Sequence, residues 1–385
     1  MMTFSLVIPV WNGATVIGQC LEAIYALDND RPLEVIAVDN ASRDESAHLI
    51  TARFPQVTLL PQPVNLGFAG GVNVGIRAAC GDVIVLLNQD CLPQPGWLRA
   101  LAAAFEARPD FGIAGCTLYT PDNQIDHAGA RLMRPGALGE HLTDVGGEPR
   151  PVEYVTGAAL AIRRSTFDAI GLFDEGFYPA YFEEADFCFR ARRRGLETGY
   201  VPAARLTHLR SSREAQADLI KHWANQQRMR YRFVIKQFDA REIGDFIAYE
   251  IDAAEREVWF DQAIGRVIGA RDTLRGLPDI IERRRLDCAD DLPPAVRRQI
   301  EVGFTAIMRR SFSAAERIGA PVAGGTGGPP VGARFITPLR RWLGRLRSAV
   351  PTGEVDQLRQ QMTAWQAAVD RRLKILEILA DYEYR

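Results

Sequence analysis

Five stretches carry residues whose types and spacing could do chemistry. Asn88-Gln89-Asp90 ends an apolar run at 83–87. Two oxygen-bearing side chains two residues apart suit a hard divalent cation whose shell diphosphate and water would complete. Asn and Asp also end strands in ordinary turns, which is the competing reading. Glu183-Glu184-Ala185-Asp186 puts three carboxylates within four residues. A helix N-terminus offsets part of their repulsion, and Asp186 can pair with Arg190 at i,i+4. The alternative makes one Glu a general base toward a hydroxyl, its pKa raised by like charges. Asp39-Asn40, with Ser42 and Asp44 behind them, could accept a hydrogen bond from a pyrimidine imide or cap a helix. The glycine-rich stretch NLGFAGGVNVG at 65–75 permits close backbone approach to a phosphate, or is only a turn. His208 is a lone imidazole, structural or a third metal ligand.

The elements that must position these residues alternate. Apolar, β-forming runs lie at 4–10, 33–38, 57–60, 83–87 and 111–119. Helical spacing lies between them at 15–27, 44–54, 69–79 and 94–107. Near-continuous apolar strands joined by helices predict a parallel sheet covered on both faces, an α/β fold. Ligands bind such sheets at the carboxyl ends of the strands, where Asp39 and Asn88–Asp90 fall. Residues 121–151 are polar and rich in Gly and Pro, which predicts loops over the site. Further strands are expected at 152–162 and 198–201 and a short helix at 185–194. From 215 to 311 the pattern is helical and charged.

Bulk composition narrows the class. The 385 residues predict two or three folded units. A net charge of -2 gives no global footprint for nucleic acid. Six cysteines without a C-x-x-C pair, several in apolar stretches, point away from a disulfide framework and toward a reducing compartment. The first ten residues lack a basic region, and no apolar run approaches the ~20 residues of a bilayer span. The expectation is a cytoplasmic protein, with peripheral contact at the inner face of the membrane left open.

In combination, IPVWN, AVDNAS, NLGFAGGVNVG, LLNQD, TGAALAIRRSTFDAIGLFDE, YFEEADFCFR and VPAARLTHL, in this order over residues 3–235, resemble glycosyltransferase family 2. The similarity is greatest to its rhamnosyltransferase-like and galactofuranosyltransferase-like branch. The resemblance implies a GT-A fold, a Rossmann-like nucleotide-diphospho-sugar half joined to an acceptor half. Pro9, Asn12 and Asp39 match positions that hold the donor's base and ribose. Asn65, Gly67 and Asn73 match the donor-pocket motif. Asn88-Gln89-Asp90 matches the D-x-D motif, with Asn88 toward the donor and Asp90 ligating Mg2+ or Mn2+. His208 matches a histidine near metal and diphosphate, and Glu184, or Glu183 beside it, the catalytic base. The implied reaction is inverting transfer of rhamnose or another hexose from a dTDP- or UDP-sugar. The implied acceptor is a hydroxyl of a growing cell-surface polysaccharide or lipid-linked glycan. Two departures stand out: Asn88 replaces the first aspartate, and Glu183-Glu184 replaces the usual E-D pair.

Two other function classes compete with this one. A nucleotidyltransferase would carry a basic glycine-rich loop at the first strand, but residues 9–13 (PVWNG) hold no Lys or Arg. A non-catalytic glycan-assembly scaffold would leave the helical tail as the working part. The expected division is a catalytic domain at 1–235, a helical extension at 236–319, a Gly/Pro-rich linker at 320–333 and C-terminal helices at 334–385. Residues 339–347 are basic and amphipathic, suited to an anionic membrane or to packing on the catalytic domain. Apolar residues from Val355 to Leu379 recur at three and four, a heptad-like seam that could make a homo-oligomer or fold back.

Overall fold

The apolar runs form a sheet because successive side chains divide between two cores. The protein is described here by a computed structural model covering residues 2–27, 33–209, 218–288, 290–319, 374–376 and 378. Strands β1 (Phe4–Val10), β2 (Leu33–Asp39), β3 (Thr58–Pro61) and β4 (Val83–Leu87) are mutually parallel in the order β4-β1-β2-β3. Val7, Ile36, Val38, Ile84 and Leu86 enter one core. Leu6, Ile8, Val35, Ala37, Val85 and Leu87 enter the other. Helices α1 (Ile17–Ala26), α2 (Ser46–Arg53) and α4 (Trp97–Ala107) cover the second core, and α3 (Gly67–Ala78) covers the first.

The sheet continues as β4-β11-β6-β12-β10, through β11 (Ala159–Arg163), β6 (Phe111–Tyr119), β12 (Glu197–His208) and β10 (Arg150–Pro151). It is mixed rather than wholly parallel, because β11 runs antiparallel to both β4 and β6. The chain leaves β6 at its carboxyl end, makes an excursion there, and returns from that same end. Instead of loops alone, the excursion holds β7 (Ile125–His127) on β6 and a hairpin of β8 (Ala130–Met133) and β9 (Leu138–His141). The strand expected at 152–162 begins only at Ala159, since Tyr154 bridges Ala130 of the hairpin instead. The short β5 (Cys91–Pro93) pairs with the end of β12.

Seven helices among the described residues follow the excursion: α5 (Arg164–Ile170), α6 (Glu183–Arg193), α7 (Leu219–Gln237), α8 (Ala240–Arg256), α9 (Phe260–Arg275), α10 (Leu277–Cys288) and α11 (Pro294–Ile318). Phe187, Cys188 and Ala191 of α6 share the first core with Tyr231, Phe233 and Val234 of α7 and with Phe246, Ile300 and Phe304. The helical part is therefore packed onto the sheet's own core. None of these helices is long and apolar enough to cross a membrane.

The linker at 320–333 and the basic segment at 339–347 lie outside the described residues, as does most of the apolar repeat at 355–379. Within the described part of that repeat, Ile375 is buried against Ala263, Ile264, Ala314 and Ala315. Leu376, expected on the seam, is 49% exposed. At this point the buried phase follows Ile375 and Ile378, and it faces α9 and α11.

Beneath α6 lies a buried ionic cluster. Lys236 Nζ sits 2.8 Å from Asp174 Oδ2, 2.9 Å from Asp186 Oδ1 and 2.8 Å from Asp287 Oδ2. Arg190 Nε reaches Asp186 Oδ2 at 3.0 Å, which is the i,i+4 pair read from the sequence. Burial alone would raise the Asp174 carboxyl, but Lys236 and Arg232 outweigh it and hold it well below the usual range. Its stabilisation is thus complete above the unfolded carboxylate value of about 4 and fades as pH falls through the lower folded value. Lys236→Met should strand buried carboxylates and lower the unfolding free energy by about 3–5 kcal/mol in urea titration at pH 7. A loss under about 1 kcal/mol would mean that the cluster is not a structural hub.

Candidate active site

Two strand ends bring Asp90 and His208 together. His208 is the last residue of β12, and its register partner is Cys91 of β5, directly after Asp90. The Leu209 N–H donates to the Asp90 carbonyl at 2.9 Å, which closes the ladder. As a result His208 Nε2 lies 3.4 Å from Asp90 Oδ1, with the Asp90 side chain 1% exposed. That Nε2 is buried and has no hydrogen-bond partner among the described residues. Ligand atoms of Asp90, Cys91 and His208 all fall within 4.8 Å of one another. Cys91 is a poor third ligand for a hard cation: its sulfur is soft, and Sγ donates to the Ala158 carbonyl at 3.4 Å. A carboxylate and an imidazole with an available nitrogen fit Mn2+ or Mg2+, with diphosphate and water left to supply oxygens.

Asn88 follows β4 with its backbone N–H on the Ala158 carbonyl at 2.9 Å. The intervening Gln89 has a role that its sequence position did not reveal. Its amide bridges Trp11 in both directions, accepting from N at 3.1 Å and donating to O at 3.2 Å. It lies over Gly13, where a Cβ would overlap the Gln89 side chain. The β4 end is thereby clipped to the β1–α1 loop, which carries Asn12 and follows Pro9 of β1.

The nucleotide-side candidates gather at the ends of β1 and β2. Val10 is in register with Asp39. Asn12, at φ 47°, donates its N–H to Ser42 Oγ at 3.0 Å and accepts from the Arg43 N–H through Oδ1 at 2.8 Å. Asp39 Oδ1 accepts from the Ser42 N–H at 3.1 Å, and α2 starts only at Ser46, so Asp39 shapes the loop and does not cap the helix. Asn65 Oδ1 accepts the Gly67 N–H at 2.8 Å, and Asn40 bridges Leu66 N–H and Gly67 O. Asn73 behaves differently. It is buried, and its amide contacts Phe173 N and O and Glu175 Oε1, tying α3 to the 173–175 turn.

The acidic cluster opens α6. Tyr181 and Phe182 enter it at φ 90° and 70°, left-handed values that bulky residues adopt at a cost of about 1–3 kcal/mol each. The three acids then meet different surroundings. Asp186 would be raised by burial, but Lys236 and Arg190 hold it down. Burial and the charge of Glu184 push Glu183 far up. Burial pushes Glu184 up to about 7, against the opposing hydrogen bonds of its own and the Ala185 backbone. One oxygen of each Glu, Oε2, is buried without a partner among the described residues. The glycine-rich stretch at 65–75 meets the turn before α6 directly: the Phe68 N–H donates to Pro179 O at 2.7 Å. A Cβ on Gly157 would stand 3.1 Å from the Phe68 ring and 3.9 Å from Glu184 Cβ.

Three residues near the metal corner escaped the sequence reading. Asp126 Oδ2 lies 3.2 Å from His208 Nδ1, and His127 packs edge-on to His141 with ring centroids 4.7 Å apart. The stretch Ile125-Asp126-His127 sits in a polar region with no periodicity. Its one available signal was an acid beside a histidine.

Residues 5–171 match the sequence profile described as Glycosyl transferase family 2. That stretch, residues 5–171, is a glycosyltransferase family 2 region. An N-acetylglucosaminyl-diphospho-decaprenol L-rhamnosyltransferase of Mycobacterium tuberculosis is 29% identical over 242 residues, 55% of this chain and 78% of the relative. The O-antigen biosynthesis protein RfbC of Myxococcus xanthus is 25% identical over 55% of this chain and 18% of its own length. Among solved structures, GalNAc-T7 with UDP, GalNAc and Mn2+ aligns at TM-score 0.51 and 16% identity, covering 74% of this chain and 55% of that one. S. aureus TarS 1–349 with UDP-GlcNAc aligns at 0.50 and 12%, covering 86% and 98%. At those identities the likeness is one of fold, the GT-A fold of this glycosyltransferase.

The close contact between the glycine-rich stretch and the turn before α6 is testable in this glycosyltransferase. Gly67 has φ +72°, and a Cβ there would meet Pro179 O at 2.7 Å and the Tyr178 ring at 2.9 Å. Gly67→Ala should therefore lower stability by about 1–3 kcal/mol in urea titration. Gly147→Ala, with nothing within 4 Å, should change it by less than about 0.5 kcal/mol. Equal effects would show that the contact carries no strain.

Proposed function

We propose that this glycosyltransferase moves a hexose from a nucleoside-diphosphate sugar to a hydroxyl of a cell-surface or lipid-linked glycan, with inversion and with a divalent cation. The observation that carries the reading is Glu184: a carboxylate with one buried, partnerless oxygen on a side chain that starts next to Gly157, with its pKa raised to about 7. A general base works best with a pKa near the operating pH. Rhamnose is the first choice of sugar, supported by the mycobacterial relative, whose name also specifies a diphospho-decaprenol acceptor.

In this reading Asn12, Asp39, Asn65 and Gly67, with Pro9 and Asn88, receive the nucleotide and its sugar. Asn73 supports them by fixing α3 to the 173–175 turn. Asp90 and His208 would hold Mn2+ or Mg2+, which when bound supplies positive charge against the departing diphosphate. Glu184 takes the proton of the acceptor hydroxyl. That oxygen attacks the anomeric carbon from the face opposite the diphosphate, and the carbon–oxygen bond to the nucleotide breaks. A single displacement inverts the centre. The helical extension at 236–319 serves to hold α6, and with it the base, at a fixed place.

The test is transfer from a panel of dTDP- and UDP-sugars to a polyprenyl-diphosphate-linked sugar, with NMR of the product's anomeric centre. Because only ionised Glu184 can accept the proton, turnover should rise with pH through about 7 and level off above it. Glu184→Gln should lower kcat about 10²–10⁴-fold with donor affinity kept. A retained anomeric configuration, or a Glu184→Gln enzyme of undiminished kcat, would remove the base assignment.

A further inference from the structure

The His208 ring is held from both sides. Its Nε2 faces Asp90 Oδ1 at 3.4 Å, and its Nδ1 faces Asp126 Oδ2 at 3.2 Å. The Asp126 side chain is 5% exposed and that of His208 is 15% exposed. Asp126 is itself fixed by its backbone. It lies in the middle of β7, whose neighbours Ile125 and His127 pair with Tyr119 and Leu118 of β6. Its carbonyl lies 3.3 Å from Nδ1 of His141. Two strands that are remote in sequence, β7 and β12, thus meet at one imidazole.

A carboxylate accepts hydrogen bonds and donates none, so the proton shared at 3.2 Å belongs to Nδ1 of the ring. In a neutral imidazole this leaves Nε2 as a lone pair. That nitrogen is the one turned to Asp90, and it is the one buried without a hydrogen-bond partner among the described residues. Metal-ligating histidines commonly give their other N–H to a carboxylate, which fixes tautomer and ring orientation and raises ligand basicity.

We propose that Asp126 is a positioning residue for the metal corner: it holds His208 as the Nδ1–H tautomer and aims the Nε2 lone pair at a divalent cation beside Asp90. This rests on the metal reading of the Asp90–His208 pair and extends it to a residue of the excursion between β6 and β11. The excursion then has a role in the site, since β7 carries the group that orients a ligand on β12.

The experiment titrates the full chain with Mn2+ alone, following free Mn2+ by electron paramagnetic resonance, for wild type, Asp90→Asn, Asp126→Ala and Asp126→Asn. Thermal melts check that each variant folds. Asp126→Ala should raise the Mn2+ dissociation constant about 10–100-fold. Asp126→Asn, whose amide oxygen still accepts from Nδ1–H, should recover most of that loss. Wild-type binding that Asp90→Asn abolishes and folded Asp126→Ala leaves unchanged would overturn the positioning role and leave the metal site standing. No Mn2+ binding by wild type would overturn both. Should Asp126→Ala fail to fold, 15N spectra of the wild-type imidazoles decide: an Nδ1–H tautomer for His208 supports the inference, and an Nε2–H tautomer overturns it.

Discussion

Lys236 is wholly buried, with its ammonium within 2.8–2.9 Å of carboxylates on Asp174, Asp186 and Asp287. Taking such groups out of water is costly, and apolar residues of similar volume could have filled the space with no loss of stability. What the charged cluster supplies is direction. It joins α7 to α6, to the turn after Phe173 and to α10 through short contacts that tolerate little sliding. Asp174 is further gripped by Arg232, with Nε and Nη2 both 3.0 Å from its oxygens. Gln237 Nε2 adds a bond to Asp186 Oδ1 at 2.7 Å. The helix that opens with Glu183 and Glu184 is therefore anchored one turn below them by a set of mutually dependent charges.

The same turn shows how environment separates chemically similar groups. Asp186 points into the cluster and is held down by its cations, while Glu184 is pushed up by burial with no cation to offset it. The helix N-terminus favours negative charge here but does not cancel desolvation. At the other edge of the site, topology does comparable work. Strand β12 runs parallel to β6 as far as Thr207 opposite Tyr119, the last residue of β6. There the short β5 gives it a partner, and His208 arrives beside Asp90.

Much of the first 120 residues was legible because the sheet is covered on both faces. Its strands read as apolar runs, and the intervening helices keep their spacing. Residues 121–151 read as loop because β7 to β10 are two to four residues long, too short for a period to register. The metal corner was half legible. Asp90 and His208 carried a family motif, whereas Asp126 acquires its meaning only through the pairing of β7 with β6. Asn73 and Gln89 show the opposite limit. Their types suggest ligand contact, or nothing, and their amides turn out to brace backbone. Buried ion clusters such as that of Lys236 cannot be read from a chain, because all three carboxylates around its ammonium lie far from it in sequence.

The pair Glu183-Glu184 raises the question of which glutamate has the better claim to be the base. Both are pushed up by burial, and a coupled pair at such close quarters shares its titration. Glu183 is the more enclosed, at 5% exposure, and it also bears the repulsion of its neighbour, so its carboxyl is pushed up further than burial alone would push it. Glu184 retains some exposure and lies next to Gly157 and Phe68, where donor loop and acidic turn meet. Its extra methylene relative to aspartate lets the carboxylate extend from a helix start that the left-handed Tyr181 and Phe182 hold against the donor loop. On the proposed assignment the longer side chain goes with a backbone that departs from ordinary geometry in the two residues before the helix.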